Sequence, residues 1–142
     1  MRWWDIAPVL SLERELFTDD AWTEGLFWSE LAQAESRHYL VASDAGNLIG
    51  YAGLAFMGTE AYVQTIGVNP EHWGIGLGSA LLAALLAEAE RQGAKTILLE
   101  VRADNERAAR LYERFGFTSV GIRKGYYQPS GADAHVMIRG RV

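Results

Sequence analysis

One stretch near the middle of the chain narrows the possible architectures more than any other: Val68-Asn69-Pro70-Glu71-His72-Trp73-Gly74-Ile75-Gly76-Leu77-Gly78-Ser79-Ala80-Leu81-Leu82. Ala61 to Val68 ahead of it reads as a strand, and Asn69-Pro70 halts that strand because proline has no N–H for the ladder. Beyond it, Leu81, Leu82, Leu85, Leu86 and Ala89 recur at helical spacing from about Gly76 to Arg91, and Gly93 ends the pattern. A helix N-terminus exposes unpaired N–H groups and about half a positive charge, so it favours an anion. Gly74, Gly76 and Gly78 remove the side chains that would hold a phosphate away from those groups. The same glycines also suit a tight strand-to-helix turn that binds nothing.

The rest of the chain supplies a mixed sheet around this unit. Asp5 followed by Ile6, Val9, Leu10, Leu12, Leu16 and Phe17 reads as a capped amphipathic helix, which Thr18-Asp19-Asp20 breaks. Thr23 caps a second helix carrying Leu26, Phe27, Glu30, Leu31 and Ala34. His38 to Ser43 and Leu48 to Met57 read as strands joined by the turn Asp44-Ala45-Gly46-Asn47. Thr96 to Val101 is a near-continuous apolar run, expected to be a strand covered on both faces. A short helix over Asn105 to Arg114 and two strands, Thr118 to Ile122 and Ala134 to Ile138, complete the pattern. The expected order is a leading strand, two helices, three strands, helix, strand, helix, two strands. That is an α/β fold within one domain spanning residues 1–142.

Composition excludes several kinds of chemistry. There is no cysteine, hence no disulfide, thiolate metal site or cysteine nucleophile. His38, His72 and His135 lie far apart with no ligand spacing, so no metal is expected. The net charge of −5 does not suit a nucleic-acid surface. No run reaches the ~18 apolar residues of a membrane span, and the first residues do not read as a secretion signal, so the expected location is the cytoplasm.

Two named nucleotide loops fail against the glycine cluster. A P-loop needs Gly-Lys-Ser/Thr, which is absent. A dinucleotide loop begun at Gly74 would need glycine or alanine where Ser79 stands, and one begun at Gly76 meets Leu81. The segment instead resembles the pyrophosphate loop of the GNAT superfamily of N-acetyltransferases, whose pattern is Gln/Arg-x-x-Gly-x-Gly/Ala. Trp73, Gly76 and Gly78 fall on its three defined positions, and Trp73 departs from it.

Glu100 interrupts the apolar run Thr96-Ile97-Leu98-Leu99-Glu100-Val101. A desolvated carboxylate has a raised pKa and suits a general base; one at a strand end would pair with Arg102 or face water. Tyr112 lies on the helix beside the face formed by Ala108, Leu111 and Phe115. It reads either as a half-buried core tyrosine or as a general acid for a departing thiolate. Together, Leu99-Glu100-Val101-Arg102-Ala103-Asp104-Asn105 and Ala109-Arg110-Leu111-Tyr112-Glu113-Arg114-Phe115-Gly116-Phe117 are similar to the bacterial RimI-type enzymes of that superfamily. So are Asn69-Pro70 and the pair Tyr126-Tyr127.

The resemblance implies a GNAT-type mixed, mostly antiparallel sheet of six to seven strands flanked by about four helices. It implies acetyl-CoA as co-substrate, Glu100 as base and Tyr112 as acid. Ile66, Gly67 and Val68 match the strand edge that pairs with the pantetheine arm, with the Val68 amide facing the oxyanion. Gly74, Ile75, Gly76, Leu77, Gly78 and Ser79 match the pyrophosphate loop, and Asn105 a side-chain contact to the cofactor. The implied partner is a protein N-terminus, the N-terminal alanine of a small-subunit ribosomal protein, the eighteenth of its set. The peptide is expected between the Phe17 to Phe27 segment and the loop around Tyr126 and Tyr127, with Trp22, Phe27 and Trp28 divided between core and cleft. A small-molecule amine as acceptor, or a non-catalytic acetyl-CoA-binding module, remain open alternatives.

Overall fold

A computed structural model describes residues 1–140. Its elements in chain order are α1 (Ile6–Leu16), α2 (Glu24–Ala32), β1 (Arg37–Asp44), β2 (Asn47–Met57), β3 (Glu60–Val68), α3 (Leu77–Arg91), β4 (Thr96–Arg102), α4 (Glu106–Arg114), β5 (Thr118–Arg123) and β6 (Ala134–Gly140). Six strands form one sheet in the order β1-β2-β3-β4-β6-β5. Every pairing is antiparallel except β3 with β4. No strand precedes α1. Trp3–Asp5 curl into a 3-10 turn instead, because the Asp5 carboxylate accepts the Arg2 amide at 2.7 Å and satisfies the donor a strand would have used. Asp5 thus caps that turn and makes no side-chain cap on α1. Thr23 does cap α2, accepting from the Leu26 amide at 3.1 Å.

Two apolar clusters cover the two faces of the sheet. The larger joins α3, through Leu81, Leu82, Leu85, Leu86 and Ala89, to Leu54, Ala61, Val63, Ile97, Leu99 and Met137, with Tyr112 and Phe117 from the α4 end. On the opposite face Ile6, Val9, Leu10 and Leu12 of α1 pack with Phe27 and Tyr51. The alternation along β4 follows from this: Ile97, Leu99 and Val101 are buried, whereas Leu98, Glu100 and Arg102 are half-buried. One face of β4 is therefore sealed and the other only partly covered, which corrects the expectation of a strand enclosed on both sides.

The smaller cluster carries a charge. Glu13 sits on the buried face of α1 at 2% exposure. Its carboxylate accepts from the Tyr51 hydroxyl and, at 2.9 Å, from the Trp22 amide. It thereby ties the segment between α1 and α2 to the sheet. Across the same face Glu30, 5% exposed, accepts from Arg37 at 2.9 Å, from the Tyr39 hydroxyl at 2.6 Å and from Gln64 at 3.3 Å. These networks satisfy groups that would be costly to bury alone. The edge strand β5 is different, for all six of its residues are exposed, Val120 and Ile122 among them.

Burial raises the pKa of Glu13 above its ordinary 4.5, against the opposing pull of the Tyr51 and Trp22 hydrogen bonds. The folded chain therefore holds that proton more tightly than the unfolded chain. Stability from this group is complete below pH 4.5 and is lost as pH rises through the folded value. Urea unfolding midpoints of the wild type should fall over that window relative to those of Glu13→Gln, and parallel curves for the two proteins would refute the assignment.

Candidate active site

The site begins where the sheet comes apart. β3 and β4 pair only from Glu60↔Thr96 to Val63↔Leu99, and the ladder then stops. On its other side β3 stays paired with β2 as far as Gly50↔Val68. The divergence coincides with an irregularity in that pairing: Gly53 faces Thr65 and Leu54 faces Val63, leaving Gln64 as the extra residue. A bulge bends its strand and strengthens the local twist, which swings the end of β3 away from β4. Ile66, Gly67 and Val68 therefore line an opening inside the sheet, with β4 no longer beside them. Gly67 also admits the Tyr51 ring, since a Cβ there would lie 2.4 Å from it.

Below this opening lies a cavity of about 610 Å³, walled by the end of β3, the glycine loop and α4. Gly74 and Gly76 hold φ of 83° and 84°, the left-handed region that other residues enter at a cost. A Cβ at either would meet nothing within 4 Å, so open space lies in front of the loop. Gly76 caps α3 and its carbonyl accepts the Ala80 amide at 2.9 Å, leaving the Leu77, Gly78 and Ser79 amides without intrahelical acceptors. Gly74, Gly76, Leu77, Gly78 and Ser79 all line the cavity; Ile75 does not, and its side chain is 70% exposed. This lining of backbone donors at a helix start fits a phosphate-bearing carrier.

A second cavity, of about 140 Å³, opens on the α1–α2 side of the sheet. Phe17, Ile66, Asn105, Ala108 and Tyr112 line both spaces, so the two meet at the parting of the strands. Glu100 lines the second, together with Glu13, Asp20, Gln64 and Tyr127. Tyr112 is 8% exposed, lies edge-on to Phe117 at 5.9 Å, and burial pushes its phenol up to about 12. Tyr112 therefore packs in the core cluster and also lines the junction of the two cavities.

Several side chains are placed differently from the sequence-based expectation. Glu100 is not isolated in an apolar run. Its side chain is 24% exposed and accepts from Arg123 at 3.2 Å, while the Arg123 guanidinium lies 4.4 Å from the Tyr126 ring centroid. Arg102, the partner expected for a strand-end Glu100, is instead held by Asp20 and, at 2.9 Å, by Asp104. Asn105 uses its Oδ1 to cap α4, accepting the Ala108 amide at 3.1 Å, and lines both cavities. Tyr127 lines the cleft, whereas Tyr126 stacks outside it on Arg123. Of the aromatic trio, Phe27 is core, Trp22 packs on it at 5.1 Å and lines the cleft, and Trp28 points outward at 45% exposure.

Sequence reasoning missed a clamp across the cleft. Asp20, whose side chain is 8% exposed, binds Arg102 of β4 and accepts from the Ser130 hydroxyl at 2.9 Å. It thus joins the α1–α2 segment, β4 and the β5–β6 loop. No local pattern announces a contact across 110 residues. The Glu13 network did leave a sign, because a glutamate falls among the apolar positions of α1.

A strand pair that parts over an amide-lined cavity at a helix N-terminus belongs to a known class of acyl-transferring enzymes. The chain belongs to the acetyltransferase (GNAT) family, whose model matches residues 3–117. It is 46% identical to the N-alpha-acetyltransferase RimI of Mycobacterium tuberculosis, over 95% of this chain and 86% of the relative. It is 38% identical to the ribosomal protein bS18-alanine N-acetyltransferase of Escherichia coli K12, over 70% of each chain. Among solved structures, the ribosomal-protein-S18-alanine N-acetyltransferase from Escherichia coli superposes with a TM-score of 0.84 at 32% identity, covering 99% of this chain and 90% of that one. Ard1 from Thermoplasma volcanium gives 0.89 at 28% identity, covering 100% and 95%.

If the clamp sets the spacing of the cleft walls, Asp20→Asn should raise the KM for an acceptor peptide several-fold. The Kd for CoA, read by calorimetry, should stay within twofold, because Asp20 lies outside the larger cavity.

Proposed function

We propose that the chain transfers the acetyl group of acetyl-CoA to the α-amine at the N-terminus of a protein in the cytoplasm. The N-terminal alanine of the eighteenth small-subunit ribosomal protein is the substrate that the names of several relatives favour. One observation carries the reading: an amide-lined cavity and an acid-lined cleft meet at Ile66 and Tyr112, in the gap between β3 and β4.

Each residue then has a task. The amides of the glycine loop hold the diphosphate, and the open edge at Ile66, Gly67 and Val68 pairs with the amide-bearing arm of the carrier. Acetyl-CoA supplies the thioester carbonyl. A free α-amine titrates near 7.7–8.0, so much of it arrives protonated at neutral pH. Glu100 takes that proton, directly or through one water, and the arriving ammonium competes with Arg123 for the carboxylate. The Val68 amide faces the developing oxyanion, a contact of the kind worth roughly 3–4 kcal/mol. The neutral amine attacks the thioester carbonyl, and the C–S bond breaks as Tyr112 donates its hydroxyl proton to the departing sulfur. The phenolate so left recovers a proton from the acylated nitrogen. Holding amine and thioester together contributes further, since orientation can supply ~7–11 kcal/mol. Acid side chains around the cleft suit a cationic acceptor.

A peptide beginning with Ala should gain one acetyl group at its α-amine by mass spectrometry, and the same peptide already acetylated should gain none. Turnover confined to free polyamines or antibiotics would replace the proposed substrate class. Tyr112→Phe should lower kcat by roughly 10²–10⁴. Because the phenol is held at about 12, it stays protonated throughout the working range. The kcat profile should therefore show no falling limb from this group at pH 7–10, and Tyr112→Phe should lower the profile without reshaping it.

A further inference from the structure

Position 73 is where the loop departs from the pattern it resembles: tryptophan stands in place of glutamine or arginine. The structure shows how the indole is used. Its Nε1 donates to the Val68 carbonyl at 2.9 Å, which locks the ring against the end of β3. The Arg107 guanidinium, from the first turn of α4, lies over that ring at 4.1 Å from its centroid. Trp73 and Arg107 both line the larger cavity, as do Arg110 and Arg114 from the same helix. Arg110 lies 3.8 Å from Glu106, but no carboxylate pairs with Arg107 among the described residues. A chain of net charge −5 thus gathers three arginines on one wall of one cavity and leaves the one on the indole without an acidic partner among the described residues.

We propose that Trp73 and Arg107 form a composite phosphate contact, in which the anchored indole holds the guanidinium in the cavity to take a phosphoryl group of CoA. The charge that arginine would bring at position 73 is supplied instead from α4, with the indole as its platform. An arginine stacked on an aromatic face keeps its fork of N–H donors in the plane of the stack, free to bind phosphate oxygens. Little side-chain freedom then remains to be lost on binding. This inference rests on the reading that the cavity takes acetyl-CoA.

Calorimetry on the full chain at fixed ionic strength tests it, with CoA and dephospho-CoA as ligands. Arg107→Ala should weaken CoA binding about 10-fold, and Arg107→Lys should recover only part of that loss. Trp73→Ala should weaken binding by a smaller factor, and Trp73→Ala/Arg107→Ala should be within about twofold of Arg107→Ala, because a platform has no value without the group it holds. A loss seen with CoA alone assigns the contact to the 3′-phosphate; an equal loss with dephospho-CoA assigns it to the diphosphate. An Arg107→Ala protein that folds and binds CoA within twofold of wild type overturns the proposal. Multiplying losses in the double variant overturn the platform role of Trp73. A wild-type chain that gives no heat with CoA removes the acetyl-CoA reading and this inference with it.

Discussion

The parting of β3 from β4 is the constraint from which the rest of the site follows. A parallel pair that continued past Val63↔Leu99 would consume the backbone groups of residues 64–68 and close the sheet. Because it stops there, backbone normally hidden in a sheet interior is presented to a ligand. Edges of this kind usually lie at the border of a sheet, where anything can pair with them. Here the edge is internal and flanked by two cavities, so access is limited to whatever fits the gap. The bulge at Gln64 and the small residue at Gly67 are its sequence-level causes: one redirects the strand, the other lets Tyr51 pack beneath it.

Polar anchoring on the α1–α2 face supports this opening. Glu13, Glu30 and Asp20 each join segments distant in the chain, and each has little exposed side chain. A purely apolar interface would tolerate sliding, whereas directional bonds to Tyr51, Tyr39, Gln64 and Ser130 favour one placement of the loops. The cleft walls are thereby fixed by hydrogen bonds, and the cavity beneath the glycine loop by backbone geometry. Two neighbouring spaces are built by different physical means.

Much of this was legible in the sequence where the governing interaction is local. The turn at Asp44-Ala45-Gly46-Asn47, the cap at Thr23, the stop at Pro70 and the glycine-started α3 all depend on neighbours within a few residues, and each was found within a residue or two. Tyr112 could be placed on a helix face by spacing alone. What stayed hidden depends on residues far apart: the bulge that splits the sheet, the Asp20 clamp, and the pairing of Glu100 with Arg123 in place of Arg102. The expected leading strand is absent for a simpler reason, since the Asp5 carboxylate captures the Arg2 amide. The roles proposed for Glu100 and Tyr112 rest on the resemblance, because spacing alone leaves them open.

The outer border of the sheet carries a liability of its own. β5 ends the strand order with an unshielded backbone, and the aliphatic groups of Val120 and Ile122 face water at 59% and 55% exposure. Natural sheets usually protect such a margin with charge, proline or a covering helix. This one has cationic side chains only at its end, Arg123 and Lys124, and Arg123 is already engaged by Glu100. In crowded or concentrated conditions, chain-to-chain strand addition along this margin is the form of self-association the architecture leaves least guarded.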